Sequence, residues 1–224
     1  MISLSGVSRR YGGRTVLRDV SVTLPEQRIG VIGANGSGKS TFAQLLNGLI
    51  LPTKGKVTVN GFDTATHGRQ VRQQVGFCFT NPDAQIIMPT VAEDVAFSLR
   101  RTRLDRAERD NQVMEALARF DLDQLAHQPA HTLSGGLKQL LALASILVLQ
   151  PAVLVCDEPT TLLDLRHARR VHGILTGLPQ QLVLVTHHLE LVRDLDRVLV
   201  FDKGRLVADG APQDCVAEYE NLMR

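Results

Sequence analysis

Charge of one sign is what this sequence has least of: in 224 residues, 25 lysines and arginines stand against 23 aspartates and glutamates, a formal balance of +2. So small an excess argues against the concentrated basic stripe with which nucleic-acid binders hold a phosphate backbone. The nearest candidate, Arg100-Arg101-Thr102-Arg103 with Arg106 and Arg109 after it, is interleaved with Asp105, Glu108 and Asp110 and reads as a solvated helix face. No nucleic-acid partner is expected. Cysteine is scarce as well. Cys78, Cys156 and Cys215 cannot all pair with one another, and none stands in a CxxC metal spacing, so cytosolic thiols are expected. Long apolar runs are missing too. The most apolar stretch, Leu140 to Cys156, is interrupted by Ser145 and by Gln150-Pro151 before it reaches the roughly 20 residues of a membrane span. It reads as a buried helix, a break and a buried strand. Met1 is followed by polar, strand-like sequence rather than a basic patch and an apolar core, so no export signal is expected. Repeats and low-complexity segments are absent.

What is present is ordinary globular composition, 44% hydrophobic and 21% charged, enough to bury a core without disulfides. One large α/β domain is expected. Val20, Val22 and Leu24 alternate with Ser21 and Thr23 after a Tyr11-Gly12-Gly13 turn, which predicts a half-exposed antiparallel hairpin. Ile29 to Ile32 is an apolar strand entering a glycine loop. Apolar residues at helical spacing from Phe42 to Leu51 then predict a helix running up to Pro52. Val57 and Val59 before Asn60-Gly61 read as strand and turn, and Val75 to Phe79 as a core strand. Thr90 to Leu125 is charged and helix-forming, with Val113, Leu117 and Phe120 at helical intervals. After the buried helix come strand Val153 to Cys156, a polar helix around Arg166 to Leu175, strand Leu182 to Thr186, and a closing strand Val198 to Phe201 with a Lys203-Gly204 turn. Strands alternating with helices predict a mostly parallel sheet covered on both faces, with ligands at the carboxyl ends of its strands.

Three clusters carry chemistry. Gly33-Ala34-Asn35-Gly36-Ser37-Gly38-Lys39-Ser40 fits G-x-x-x-x-G-K-[ST] between an apolar strand and an amphipathic helix. Its glycines let backbone N–H groups wrap phosphate oxygens at a helix N-terminus. Lys39 supplies a fixed charge for the β- and γ-phosphates, and Ser40 a hydroxyl for Mg²⁺. Asp157 and Glu158 end a wholly apolar strand, a costly place for charge unless a cation or a reacting water uses it. Asp157 is expected to hold Mg²⁺, directly or through water. Glu158 is placed to orient or deprotonate the water that attacks the γ-phosphate. Leu133-Ser134-Gly135-Gly136 puts a serine hydroxyl and glycine amides at the N-terminus of the long apolar helix, a second anion-binding end.

The set, over nearly the whole chain, resembles the nucleotide-binding subunit of ABC transporters. The glycine loop and acidic strand end match the family's Walker A and B motifs, and Leu133 to Gly136 its signature. Thr186-His187 resembles the switch histidine that contacts the γ-phosphate, and Leu163-Asp164 the D-loop. The resemblance implies a P-loop NTPase fold in one domain over residues 1–224, with a mostly parallel RecA-like core sheet, an antiparallel β subdomain and a helical lobe inserted at about 90–145. It implies ATP and Mg²⁺ as cofactors. Catalysis would fall to Glu158, His187 and Lys39, and metal binding to Ser40 and Asp157. Nucleotide contacts would come from Tyr11 (stacked on adenine), Val16, Asn35, Gly36, Ser37, Gly38, Lys39, Ser40 and Thr41, with Ser134, Gly135 and Gly136 closing over the ATP held by a second copy. A head-to-tail homodimer follows from that arrangement.

A narrower resemblance runs through Asn81-Pro82-Asp83-Ala84-Gln85 and Pro89-Thr90-Val91-Ala92-Glu93-Asp94-Val95-Ala96-Phe97, which is similar to the ATPases of energy-coupling-factor importers of vitamins and of cobalt or nickel. That implies a transmembrane coupling subunit and a small substrate-capturing membrane protein as partners, and a peripheral place on the cytoplasmic face of the inner membrane. The short sequence after the closing strand favours the biotin-type module. Ile86, Ile87, Met88, Val91, Val95 and Phe97, within Pro82 to Leu99, are expected to form the docking face for a partner helix. The chain departs from the family in several places. Thr80 stands where a glutamine usually reaches the attacking water, with Gln85 nearby; Leu137, Leu162, Leu165 and His188 replace glutamine, glycine, proline and aspartate. None removes a charge that the chemistry requires. The competing class is a non-transport ABC ATPase of DNA repair or translation, but neither a long coiled-coil insertion nor a second cassette is present. A GTPase would need an N-K-x-D motif, which is absent.

Overall fold

The computed structural model describes residues 1–224. Its first half runs β1 (Ile2–Tyr11), β2 (Arg14–Leu24), β3 (Arg28–Gly33), α1 (Lys39–Leu46), β4 (Lys54–Val59), β5 (Phe62–Asp63), α2 (Gly68–Gln74), β6 (Val75–Cys78), α3 (Val91–Ser98) and α4 (Arg106–Ala118). Then follow α5 (Gly135–Leu147), β7 (Val153–Asp157), α6 (Leu165–Thr176), β8 (Gln181–Val185), β9 (Arg197–Asp202), β10 (Arg205–Gly210) and α7 (Pro212–Leu222). These elements form two compact units. One comprises Met1–Phe77, Ala152–Glu158 and Leu175–Arg224, the other Cys78–Pro151 and Pro159–Ile174.

The first unit holds a four-stranded antiparallel sheet, β2-β1-β4-β5, and the strands of a six-stranded sheet, β10-β9-β3-β8-β7-β6. In the hairpin Ile2 pairs with Leu24 and Leu4 with Val22; Val20, Val22 and Leu24 are buried, while Ser21 and Thr23 face solvent. That is the outcome of period-two patterning on a sheet with one wet face. In the larger sheet β9, β3, β8 and β7 run parallel, with Gly30 opposite Leu184 and Val198, and Leu154 opposite Leu182. Their apolar residues, from Ile29 through Val155 and Val183 to Phe201, are almost wholly buried, as strands covered on both faces require. Helix α1 packs on β3, β7 and β8, and Phe42 meets Phe201 with ring centroids 5.0 Å apart.

Three features of this unit differ from the sequence expectation. Helix α1 stops at Leu46 instead of running to Leu51. Gly48 adopts φ 70°, its N–H bonds Leu45 O at 3.2 Å, and the Leu49 N–H bonds Gln44 O at 3.1 Å. A left-handed glycine with this bond pair closes the helix, and the apolar residues beyond it carry the chain away half-exposed. Helix α2 was not expected, because it buries only Val71 and so leaves no periodic signal. Nor were β10 and α7: beyond the Lys203-Gly204 turn the chain pairs antiparallel with β9, and α7 packs on β9 and β10.

The second unit is helical. Thr90 and Asp105 open α3 and α4 with reciprocal capping boxes to Glu93 and Glu108. Helix α5 is buried almost throughout from Gln139 to Leu147, and Gln150 at φ 50° supplies the expected break before Pro151. Val91 and Val95 are fully buried, so they belong to the core and not to the expected docking face; of the apolar residues in that segment Ile87 is exposed, at 61%. The physical reason is helical phase: both valines lie on the face of α3 that packs against α4 and α5.

Candidate active site

At the carboxyl end of β3 the chain enters the loop that leads into α1. Gly38 is the helix N-cap, with φ 107° and no side-chain cap; a Cβ there would meet Leu17 Cδ2 at 2.8 Å and Val16 O at 3.0 Å. The helix therefore begins with its N–H groups uncapped by any side chain. Lys39 is 6% exposed, and its Nζ donates to Gly33 O at 2.6 Å and Ala34 O at 3.0 Å. Burial pushes its pKa below the ordinary lysine value, against the attraction of Glu158 and Asp157. Ser37 is buried with a hydroxyl that lacks a protein partner, while Asn35 and Gly36 are exposed and Thr41 half-buried. A buried ammonium, an unpartnered hydroxyl and an uncapped helix end together fit an anionic ligand such as a phosphate chain.

Asp157 ends β7 at 6% exposure and accepts from Ser40 Oγ at 3.1 Å. Burial raises its pKa above the ordinary carboxylate range, and the neighbouring charge of Glu158 adds to this, opposed by the Ser40 hydrogen bond and by Lys39. No group of three or more His, Cys, Asp or Glu residues could cage a metal. One hydroxyl and one carboxylate are instead the hard-oxygen pair that fits Mg²⁺ shared with nucleotide phosphates. Glu158 takes a left-handed backbone, φ 53°, with its N–H on Val185 O at 2.9 Å. Such a conformation costs a non-glycine residue about 1–3 kcal/mol. Its Oε2 lies 2.9 Å from His187 Nδ1. Lys39, Ser40, Asp157, Glu158 and His187 are thus brought together at the carboxyl ends of β3, β7 and β8.

Beside the loop a cavity of about 370 Å³ is lined by Thr15, Val16, Arg18, Gly36, Lys203 and Gly204 among others. The Arg18 N–H bonds Gly204 O at 2.8 Å and the Gly204 N–H bonds Ser37 O at 2.9 Å, so the 203–204 turn stitches β2 to the glycine loop. Sequence alone marked this pair as a turn, without its place beside the site. Val16 lines the cavity; Tyr11 is half-exposed, does not line it, and carries the Arg9 guanidinium 4.4 Å from its ring centroid.

In the second unit Ser134 caps α5, with Leu137 N–H on its Oγ at 3.4 Å; Gly135 is exposed and Gly136 buried. A Cβ on Gly136 would lie 2.5 Å from His167 Cδ2, and His167 Nδ1 is 2.7 Å from Asp164 Oδ2. Hydrogen bonds from its backbone and ring hold Asp164 below the ordinary carboxylate range. Gln85 is spent on the Phe79 N–H at 3.3 Å. Sequence reasoning passed over Asp94, a 4% exposed carboxylate that accepts from Ile87 N–H at 2.9 Å, Met88 N–H at 3.1 Å and Ser145 Oγ at 2.8 Å. Its signal was Ser145, the one hydroxyl in the buried run from Gln139 to Leu147.

The profile of the family described as ABC transporter matches residues 17–161, and the chain belongs to that family. It is accordingly an ATP-binding subunit of the ATPase class that drives transport. A "Putative ABC transporter ATP-binding protein" of Deinococcus radiodurans is 52% identical over 100% of this chain and 99% of its own length. The "Biotin transport ATP-binding protein BioM" of Rhizobium etli is 47% identical over 97% and 96%. The "Energy-coupling factor transporter ATP-binding protein EcfA1" of Caldanaerobacter subterraneus is 41% identical over 93% and 78%. Among solved structures, CbiO1 of Clostridium perfringens, part of the ABC transporter complex CbiONQ, has a TM-score of 0.87 at 29% identity, covering 99% of this chain and 92% of that one. No helix of the chain is long and apolar enough to cross a membrane.

Proposed function

We propose that this chain hydrolyses ATP to power an energy-coupling-factor importer, with biotin favoured as cargo over cobalt or nickel. The observation that carries the reading is the meeting of Lys39, the Ser40–Asp157 pair and the Glu158–His187 pair at the carboxyl ends of the parallel strands. The names of the BioM and EcfA1 relatives support the narrower importer class. Lys39 exchanges its loop carbonyls for the β- and γ-phosphates, and the N–H groups opening α1, from Gly36 to Thr41, receive phosphate oxygens. Asn35, Ser37 and Ser40 belong to the same cradle, with Val16 and Tyr11 toward the base. Mg²⁺, when bound through Ser40 and Asp157, supplies charge neutralisation of the phosphates. Glu158 takes a proton from water as the water oxygen bonds the γ-phosphorus, the bridging P–O bond breaks and ADP leaves. His187 contacts the γ-phosphate.

In this reading the chain, residues 1–224 working as one domain, pairs head to tail with a second copy. Ser134, Gly135 and Gly136 of each copy then close over ATP held by the other, because a second helix N-terminus adds positive contacts where charge develops. The assembly sits at the inner face of a membrane on a transmembrane coupling subunit and a small substrate-capturing protein. Exposed Ile87, with Ile86 and Met88 beside it around a hollow of about 240 Å³, presents the docking surface. The test mixes Lys39→Ala chains with Ser134→Arg chains. In the trans arrangement one composite site of the mixed dimer keeps both intact residues, so ATPase activity recovers above that of either variant alone. Full activity from a chain held monomeric would refute it. Isolating the membrane complex and assaying bound biotin against cobalt and nickel tests the cargo.

A further inference from the structure

His187 is half-exposed at the end of β8, and one hydrogen bond to Glu158 fixes only one edge of its ring. Its flat face meets His188: the two ring centroids are 4.1 Å apart with planes inclined by 35°. The backbone of His188 is held in place, and its ring has a carboxylate near one edge. Its N–H bonds the hydroxyl of the fully buried Thr186 at 3.0 Å, its Nδ1 lies 3.6 Å from Glu190 Oε1, and the short helical turn Leu189–Leu191 that follows is pinned by buried Leu191. The result is a row of carboxylate, imidazole, imidazole and carboxylate, Glu158 to Glu190.

We propose that His188 is a positioning residue for the hydrolytic reaction: its ring clamps the plane of His187 so that Nδ1 stays on Glu158 and the opposite edge is presented to the γ-phosphate. This rests on the role given to His187 above, and goes beyond it by assigning a task to the neighbour. An exposed imidazole with no stacking partner samples several χ1 and χ2 wells, and only a minority of them keep the Glu158 contact. A stacked aromatic pair is worth enough to confine it, since such pairs add a measurable increment beyond simple burial.

The purified subunit tests this through the split between kcat and KM. His188→Ala is expected to lower kcat for ATP hydrolysis about three- to tenfold, the range an aromatic stack can account for, while KM for ATP stays within about twofold, since His188 does not touch the nucleotide. His188→Phe keeps the ring, loses the Glu190 contact and every titrating atom, and should restore most of the lost kcat. A wild-type kcat in His188→Ala, or a His188→Phe variant no better than the alanine, would overturn the proposal. His187→Ala, run alongside, separates the two layers. If it abolishes turnover while His188→Ala is unaffected, only the clamp is wrong; if it turns over normally, the role of His187 falls and the clamp with it.

Discussion

Two glycine- and serine-rich helix N-termini, one in each unit, look alike in the sequence and are built differently. The end that opens α1 has no side-chain cap, a left-handed glycine at its N-cap, a buried lysine folded back on its own carbonyls, and the Ser40–Asp157 pair beside it. The end that opens α5 caps itself through Ser134, leaves Gly135 open to solvent, and is backed by His167 against Gly136. The first leaves its opening N–H groups without a side-chain cap. The second caps itself and leaves its outer rim to solvent. Similar composition is thus built in two ways, and the division lies in where each end's backbone donors go.

The largest expected effect breaks the first end's chemistry without its shape. Glu158→Gln should retain ATP binding and lose about 10²- to 10⁴-fold in turnover, read by steady-state hydrolysis beside a nucleotide-binding titration; near-normal turnover would remove Glu158 as the base. Next comes a paired glycine test. Gly38→Ala forces φ 107° and a contact with Leu17 at 2.8 Å, and should cost about 1–3 kcal/mol together with nucleotide affinity. Gly135→Ala meets nothing nearer than Leu162 O at 3.8 Å and should leave thermal unfolding within about 0.5 kcal/mol. Equal losses at the two glycines would erase the contrast. Ser134→Ala should cost about 0.5 kcal/mol of stability, the low end for a cap, because its bond is long at 3.4 Å. Smallest is His167→Ala. The carboxyl of Asp164 is held down first by the His167 backbone N–H and then by its ring, so the variant should move it only part of the way back. A depressed carboxylate contributes above its unfolded value and loses that contribution as pH falls through its folded one. NMR titration of Asp164 in both proteins reads the shift, and identical curves would show that the ring does nothing.

Local chemistry wrote much of this molecule into its sequence. The alternation from Val20 to Leu24 and the buried run Val153 to Cys156 act over a few residues, so pattern sufficed to read them. The glycine loop was legible for the same reason: its spacing is its mechanism. Helix α1 was overrun because apolar spacing continues past Gly48 and outweighed the glycine itself, which is the sequence mark of the left-handed turn that ends the helix there. Helix α2 escaped notice since one buried valine makes no period, and β10 since its partner β9 supplies the order that its own residues do not.

The sequence by itself determined which groups the chain possesses: a glycine loop, a lysine, a hydroxyl and two carboxylates, each at the end of a readable element. Only the tertiary structure decided which of them meet. Ser40 and Asp157 are 117 residues apart in the chain and 3.1 Å apart in space, and Glu158 and His187 are joined across 29 residues because β7 and β8 lie side by side in register. The same holds for Asp94, whose three donors come from a loop and a helix that no local pattern links. Periodicity is a property of neighbours along the chain. Pairing of buried polar groups is settled by packing, because each must find its partner wherever the fold has excluded water.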